Sequence, residues 1–152
     1  MVVTYRHHAK GFTLVEIMIV VAIIALIAAI AIPNFLRARV NANESAALAS
    51  MRTLVGALEG FRSNQSPPTF PAALTDMDST TSNPPYIDTV LSSGTKQGYT
   101  LTYTRATANT YTLTVSPVTP NVTGVRGFFT NESGVIRVAA TAPATAASPP
   151  LD

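Results

Sequence analysis

The chain has 152 residues, 47% of them apolar and only 12% charged, and it has no cysteine. That length allows one small domain plus an extended element, and the missing cysteines exclude disulfides, thiol chemistry and Cys-ligated metal. The formal net charge is +2, but Arg6 and Lys10 fall in the first eleven residues, and without them eight Lys and Arg face eight Asp and Glu. A chain so balanced has no strong field for nucleic acid, and its copies can lie side by side without much repulsion.

Residues 1–11 are polar and basic, with Arg6, His7, His8 and Lys10. An apolar stretch follows from Phe12 to Ile32, broken by Thr13 and Glu16. As a helix it spans roughly 31 Å, the thickness of a bilayer core. Its thirteen strongly apolar side chains supply on the order of −4 to −8 kcal/mol of insertion energy, against about 2.5–3.5 kcal/mol for a carboxylate at the bilayer centre. Glu16 therefore does not block insertion, and an ionisable group kept in such a segment points to a function. The residues alone leave three readings: a secretory signal cut near Ala29-Ile30-Ala31, a permanent single-span anchor, or a precursor with a short removable leader. An acidic residue at the start of the apolar run disfavours the first, as does helical patterning that continues past Ala31.

Lys10-Gly11-Phe12-Thr13-Leu14-Val15-Glu16 followed by a long apolar helix resembles the class III signal of type IV prepilins and type II secretion pseudopilins. The resemblance is close over residues 10–62 and highly specific at Lys10–Glu16. It implies cleavage between Gly11 and Phe12 on the cytoplasmic side by a prepilin peptidase, which then N-methylates Phe12. It also implies that Glu16 pairs with the neighbouring subunit's Phe12 amine in the filament, setting the axial register, since an unpaired charge in apolar surroundings is expensive. The plainer role for Glu16 is to complement the helix dipole from the first turn, worth about 0.3–1 kcal/mol. Lys and Arg flank both ends of the span, Arg6 and Lys10 before it and Arg37 and Arg39 after it. The positive-inside rule therefore hardly decides orientation, and a cytoplasmic N-terminus with a periplasmic head rests on the resemblance.

Pro33 lacks an N–H and its ring crowds the carbonyl of Ala29, so a kink or loosening is expected there. Beyond Asn34 the pattern turns amphipathic. Leu48, Met51, Leu54, Val55, Leu58 and Phe61 recur every three or four residues, while Glu44, Ser45, Arg52, Glu59 and Arg62 fall mainly elsewhere. The stripe reads as a core face meant for a sheet, and the helix is expected to end near Ser63-Asn64, before Pro67-Pro68.

Residues 65–98 are rich in loop formers, with short helical turns expected at Pro71–Leu74 and Tyr86–Leu91. Asp76 and Asp78 read as solvated turn residues rather than cation ligands. Residues 99–105 and 110–115 alternate strictly, so that Tyr99, Leu101 and Tyr103 lie on one face, as do Tyr111, Leu113 and Val115, and Ala106–Asn109 joins the two strands as a hairpin. A second hairpin is expected from Val125–Thr130 and Val135–Val138. The predicted fold is α+β: a long N-terminal helix whose second half packs on a four-stranded antiparallel sheet, which is also the pilin architecture. The organisation is a leader at 1–11, a membrane and filament-core helix at 12–33, an amphipathic helix at 34–64, a sheet head at 65–138 and a flexible, Ala/Thr/Pro-rich tail at 139–152.

No catalytic constellation, phosphate loop or cofactor motif is found, and the metal prospects of His7-His8 are poor. Asn43, Asn121 and Asn131 each begin an Asn-x-Ser/Thr triplet, a pattern frequent by chance that carries no weight. The expected function is a structural subunit of a type IV pilus, not an enzyme. A type II secretion pseudopilin and a single-span anchored binding module are the alternatives. The expected partners are copies of the chain, the inner membrane, the prepilin peptidase/methyltransferase and a pilus or secretion assembly machinery. The destination is then a pilus on the cell surface or a periplasmic pseudopilus.

Overall fold

One continuous helix, α1, runs from Leu14 to Ser63. The structure, a computed structural model, describes residues 11–151; Arg6, His7, His8 and Lys10, with most of the expected leader, lie outside the described residues. The chain divides into two units, one up to Leu36 and one from Arg37 onward.

The first unit is the apolar part of α1. Its large apolar side chains, from Phe12 to Leu36, are between 49% and 82% exposed. An 18-residue window in α1 has a mean hydropathy of 3.1, which makes it long and apolar enough to cross a membrane. Pro33 lies inside the helix without interrupting it. A single proline removes one hydrogen bond, and the turns on either side carry on.

The second unit holds the core. While Leu48, Val55 and Phe61 of the expected stripe are half-buried, Met51, Leu54 and Leu58 are buried on one face of α1 together with Ala47, which the stripe did not include. They pack with Tyr99, Leu101, Tyr111, Leu113, Val115 and Phe128 from the sheet. The sheet is an antiparallel meander of five strands in chain order: β1 Thr95–Lys96, β2 Tyr99–Thr107, β3 Thr110–Pro117, β4 Gly127–Asn131 and β5 Arg137–Ala139. Leu101 faces Val115 and Tyr103 faces Leu113 across the β2–β3 ladder, so the alternating apolar residues share the helix-facing side.

Four strands were expected and five are present. The extra strand, β1, is two residues long, too short to leave an alternating signature. It pairs with β2 through Gln97 and Gly98, both at positive φ, as a type I′ hairpin turn requires. The short helices also lie about three residues later than expected, as a 3₁₀ turn at Leu74–Met77 and a single-turn α2 at Thr89–Ser92. Asp88 caps the latter, accepting from the Leu91 N–H at 2.6 Å.

The tail expected to be flexible is laid back on the sheet. The Val138 N–H donates to the Pro149 carbonyl, the Leu151 N–H to the Ile136 carbonyl and the Ala142 N–H to the Val125 carbonyl. Arg137 Nη1 donates to the Ser148 carbonyl. A Cβ on Gly127 would sit 2.9 Å from the Ala144 nitrogen, so glycine at the start of β4 is what lets the tail pass so close. These contacts are largely backbone-made, which is why an Ala/Thr/Pro composition gave no sign of them.

Candidate functional site

The residues singled out at the N-terminus fall at the start of α1. Gly11, Phe12 and Thr13 are exposed and precede the first helical residue, Leu14. The Gly11–Phe12 peptide bond thus precedes the helix and is exposed. A Cβ added to Gly11 would meet nothing within 4 Å. Nothing among the described residues calls for glycine there.

Thr13 and Glu16 form a reciprocal cap. The Thr13 N–H and hydroxyl donate to Glu16 Oε2 at 2.8 and 2.7 Å, and the Glu16 N–H donates to Thr13 Oγ1 at 3.2 Å. This is the capping box, Thr-x-x-Glu ahead of an apolar run, which satisfies two otherwise orphaned donors of the first turn. Sequence reasoning singled out Glu16 but missed Thr13, although the spacing of Thr13-Leu14-Val15-Glu16 is the box's own signature. Among the described residues, the hydrogen bonds of the Glu16 side chain are all to Thr13. The cap turns the carboxylate back toward the N-terminal end of α1.

A second carboxylate was misplaced by the sequence reading. Glu44 was set on the polar side of α1, yet it is 4% exposed. It continues the buried row of Ala47, Met51, Leu54 and Leu58 by the same three-and-four steps. Its Oε1 accepts from the backbone N–H groups of Val125 and Arg126 at 2.9 and 3.1 Å, and its Oε2 takes Arg126 Nε at 2.6 Å. Burial alone would raise the carboxyl's pKa. The two backbone donors and the Arg126 guanidinium outweigh it and hold the pKa below the ordinary glutamate value. Asn43 Nδ2 donates to the Thr123 carbonyl and the Tyr99 hydroxyl to the Arg126 carbonyl. The loop between β3 and β4 is thereby tied to α1 at several points.

Asp76 and Asp78 both accept hydrogen bonds within turns, but Asp78 is buried, 3% exposed, rather than solvated as expected, because its partners enclose it. Asp76 Oδ2 accepts from the Ala72 and Ala73 N–H groups. Asp78 accepts from Thr80 and, at 2.6 Å, from the Ser92 hydroxyl. The hydrogen bonds from Ser92 and Thr80 hold its carboxyl below the usual aspartate range. Among the described residues, no group of three or more His, Cys, Asp or Glu is placed to hold a metal ion.

Residues 6–32 match the prokaryotic N-terminal methylation motif. The type IV major pilin protein PilA of Myxococcus xanthus is 46% identical over 56 residues, 37% of this chain and 26% of that protein. The type IV wide pilus major component PilA4 of Thermus thermophilus is 36% identical over 104 residues, 68% of this chain and 70% of that protein. No solved structure matches the chain.

Proposed function

The chain belongs to the type IV pilin family, shown by the Thermus relative that it matches over 70% of that protein's length, and from that premise we propose that it is a structural subunit of a type IV pilus. The observation that carries this is the first unit of α1: a helix of some two dozen residues whose large apolar side chains are all about half exposed or more. Such a surface must be covered, first by the bilayer and then by other copies of the same helix.

In this reading the chain is held in the inner membrane as a single-pass precursor, N-terminus in the cytoplasm and head in the periplasm. A prepilin peptidase cuts between Gly11 and Phe12 and methylates the new Phe12 amine. An assembly machinery then draws the subunit into a filament on the cell surface. Glu16 carries the register. Thr13 holds its Oε2 and leaves Oε1 for the Phe12 amine of a neighbour, where a charged pair in an apolar core strongly favours one axial position over its alternatives. The first-turn capping role and the register role are thus compatible in one side chain.

N-terminal sequencing of the mature protein should begin at methylated Phe12; a start at Ile32 or an intact Met1 would overturn the reading. Deletion should abolish surface filaments. Loss of secreted enzymes with filaments intact would instead mark a secretion pseudopilin. Glu16→Ala should insert and be processed yet yield at most a small fraction of wild-type filaments, read by shearing and immunoblot. Normal filaments from that variant would remove the register role.

A further inference from the structure

The peptide unit joining Val125 to Arg126 is gripped from both ends. Its N–H, that of Arg126, donates to Glu44 Oε1 at 3.1 Å. Its carbonyl, that of Val125, accepts from the Ala142 N–H at 3.2 Å. The first partner belongs to α1 and the second to the tail. A peptide unit is planar and close to rigid, so a rotation that frees its carbonyl also swings its N–H. Hydrogen bonds in series also strengthen one another. The Val125 N–H donates to the same Glu44 oxygen at 2.9 Å, and a Cβ on Gly124 would lie 2.0 Å from the Tyr99 hydroxyl oxygen. The loop between β3 and β4 is thus wedged between helix, sheet and tail, and a shift at one contact is passed to the next.

The tail's own hold is of a different kind. Between 142 and 151 one residue, Ala144, is buried. Side chains of Ala, Thr and Pro take little apolar area out of water, so the tail gains little from burial. What holds it is a fitted seat. Gly127 leaves room for the backbone at Ala142 and Ala144, and Arg137 with the β5 backbone secures residues 148–151. A segment fixed by a few hydrogen bonds and one buried methyl opens at lower free energy than the core it lies on. Undocking of the tail therefore precedes unfolding of the sheet, and it strips the Val125 carbonyl of the bond that faces Glu44 across the peptide.

We propose that residues 142–151 are a strap that locks the β3–β4 loop onto α1, with the Val125–Arg126 peptide as its buckle: release of the tail loosens the grip of Glu44, and release of Glu44 loosens the tail. Whatever takes hold of the C-terminus then acts on α1 through this peptide. This holds for a single subunit, in a filament or out of one. Amide hydrogen exchange on the full chain in detergent micelles tests it. In a chain ending at Thr141, the Val125 and Arg126 N–H groups should exchange roughly tenfold faster, while those of Leu113 and Thr114 in β3 keep their wild-type rates. Coupling is reciprocal, so Glu44→Ala should in turn speed exchange at Ala142 and Leu151 more than in β3. Gly127→Ala crowds the tail at its seat in a chain of full length. It should give the pattern of the shortened chain, and it serves where that chain does not fold. Unchanged exchange at Val125 and Arg126 would overturn the strap. So would an acceleration equal at every amide, since the tail would then stabilise the head as a whole and not this loop.

Discussion

Glu44 is a single carboxylate that answers three donors from a loop eighty residues away in sequence. Replacing it with alanine leaves two backbone N–H groups without their acceptor, about 1–3 kcal/mol of lost stability. The Arg126 side chain is half exposed and recovers water, which keeps the loss below that of a fully buried pair. Because the folded-state pKa of Glu44 lies below its unfolded value, the ionised carboxylate's contribution is complete above the unfolded pKa and is lost as pH falls through the folded one. Thermal melts should show wild type above Glu44→Gln at pH 7, with the gap closing as pH is taken well below the ordinary glutamate range; a gap unchanged by acid would remove the charge from the account. Glu44 and Glu16 also show where residue-level reading stops. Glu16 announced itself as a charge inside an apolar run. Glu44 was hidden because a carboxylate at a stripe position reads as solvent-facing until its partners, here distant backbone groups, are in view.

At the scale of elements, α1 and the β2–β3 hairpin were legible because each repeats its own period several times: three-and-four steps from Ala47 to Leu58, strict alternation through Tyr99–Leu101 and Tyr111–Val115. Two-residue β1 has no period to read, and the tail's pairing is carried largely by backbone atoms that composition does not encode. α1 also contains a glycine that the head does not need. A Cβ on Gly56 would meet nothing within 4 Å, and the residue is exposed in mid-helix. Gly56→Ala should therefore stabilise the head by about 0.5–1 kcal/mol through helix propensity alone. The melting temperature should rise by a few degrees, and a fall would reveal a contact or backbone strain that the structure does not show.

The whole molecule separates two tasks along one chain. The first unit keeps its apolar side chains uncovered; the second buries its own in a core of helix face and sheet. The second unit should stand without the first. A chain beginning at Arg37 should be soluble and monomeric with a cooperative melt, checked by light scattering and circular dichroism, whereas a molten or aggregated product would mean that the head borrows stability from the apolar helix. The N-terminal motif was the most legible part, because it is a short local pattern, and residues 6–32 match the prokaryotic N-terminal methylation motif. The head's contacts were the least, because they arise only when distant segments meet.

The returning tail has one more consequence. Residues packed at high density with copies of themselves risk joining edge to edge, strand on strand, into disordered or amyloid-like aggregates. Here the outer side of β5 is already engaged by Pro149 and Leu151, and β1 at the far edge is only two residues long. The β5 margin is thus sealed by the tail, while at the other margin β1 pairs only with Tyr99 and Thr100 and leaves the rest of β2 without a strand on its outer side. A tail of alanine, threonine and proline acts as a hem, sealing the fabric where it would otherwise fray into the next copy.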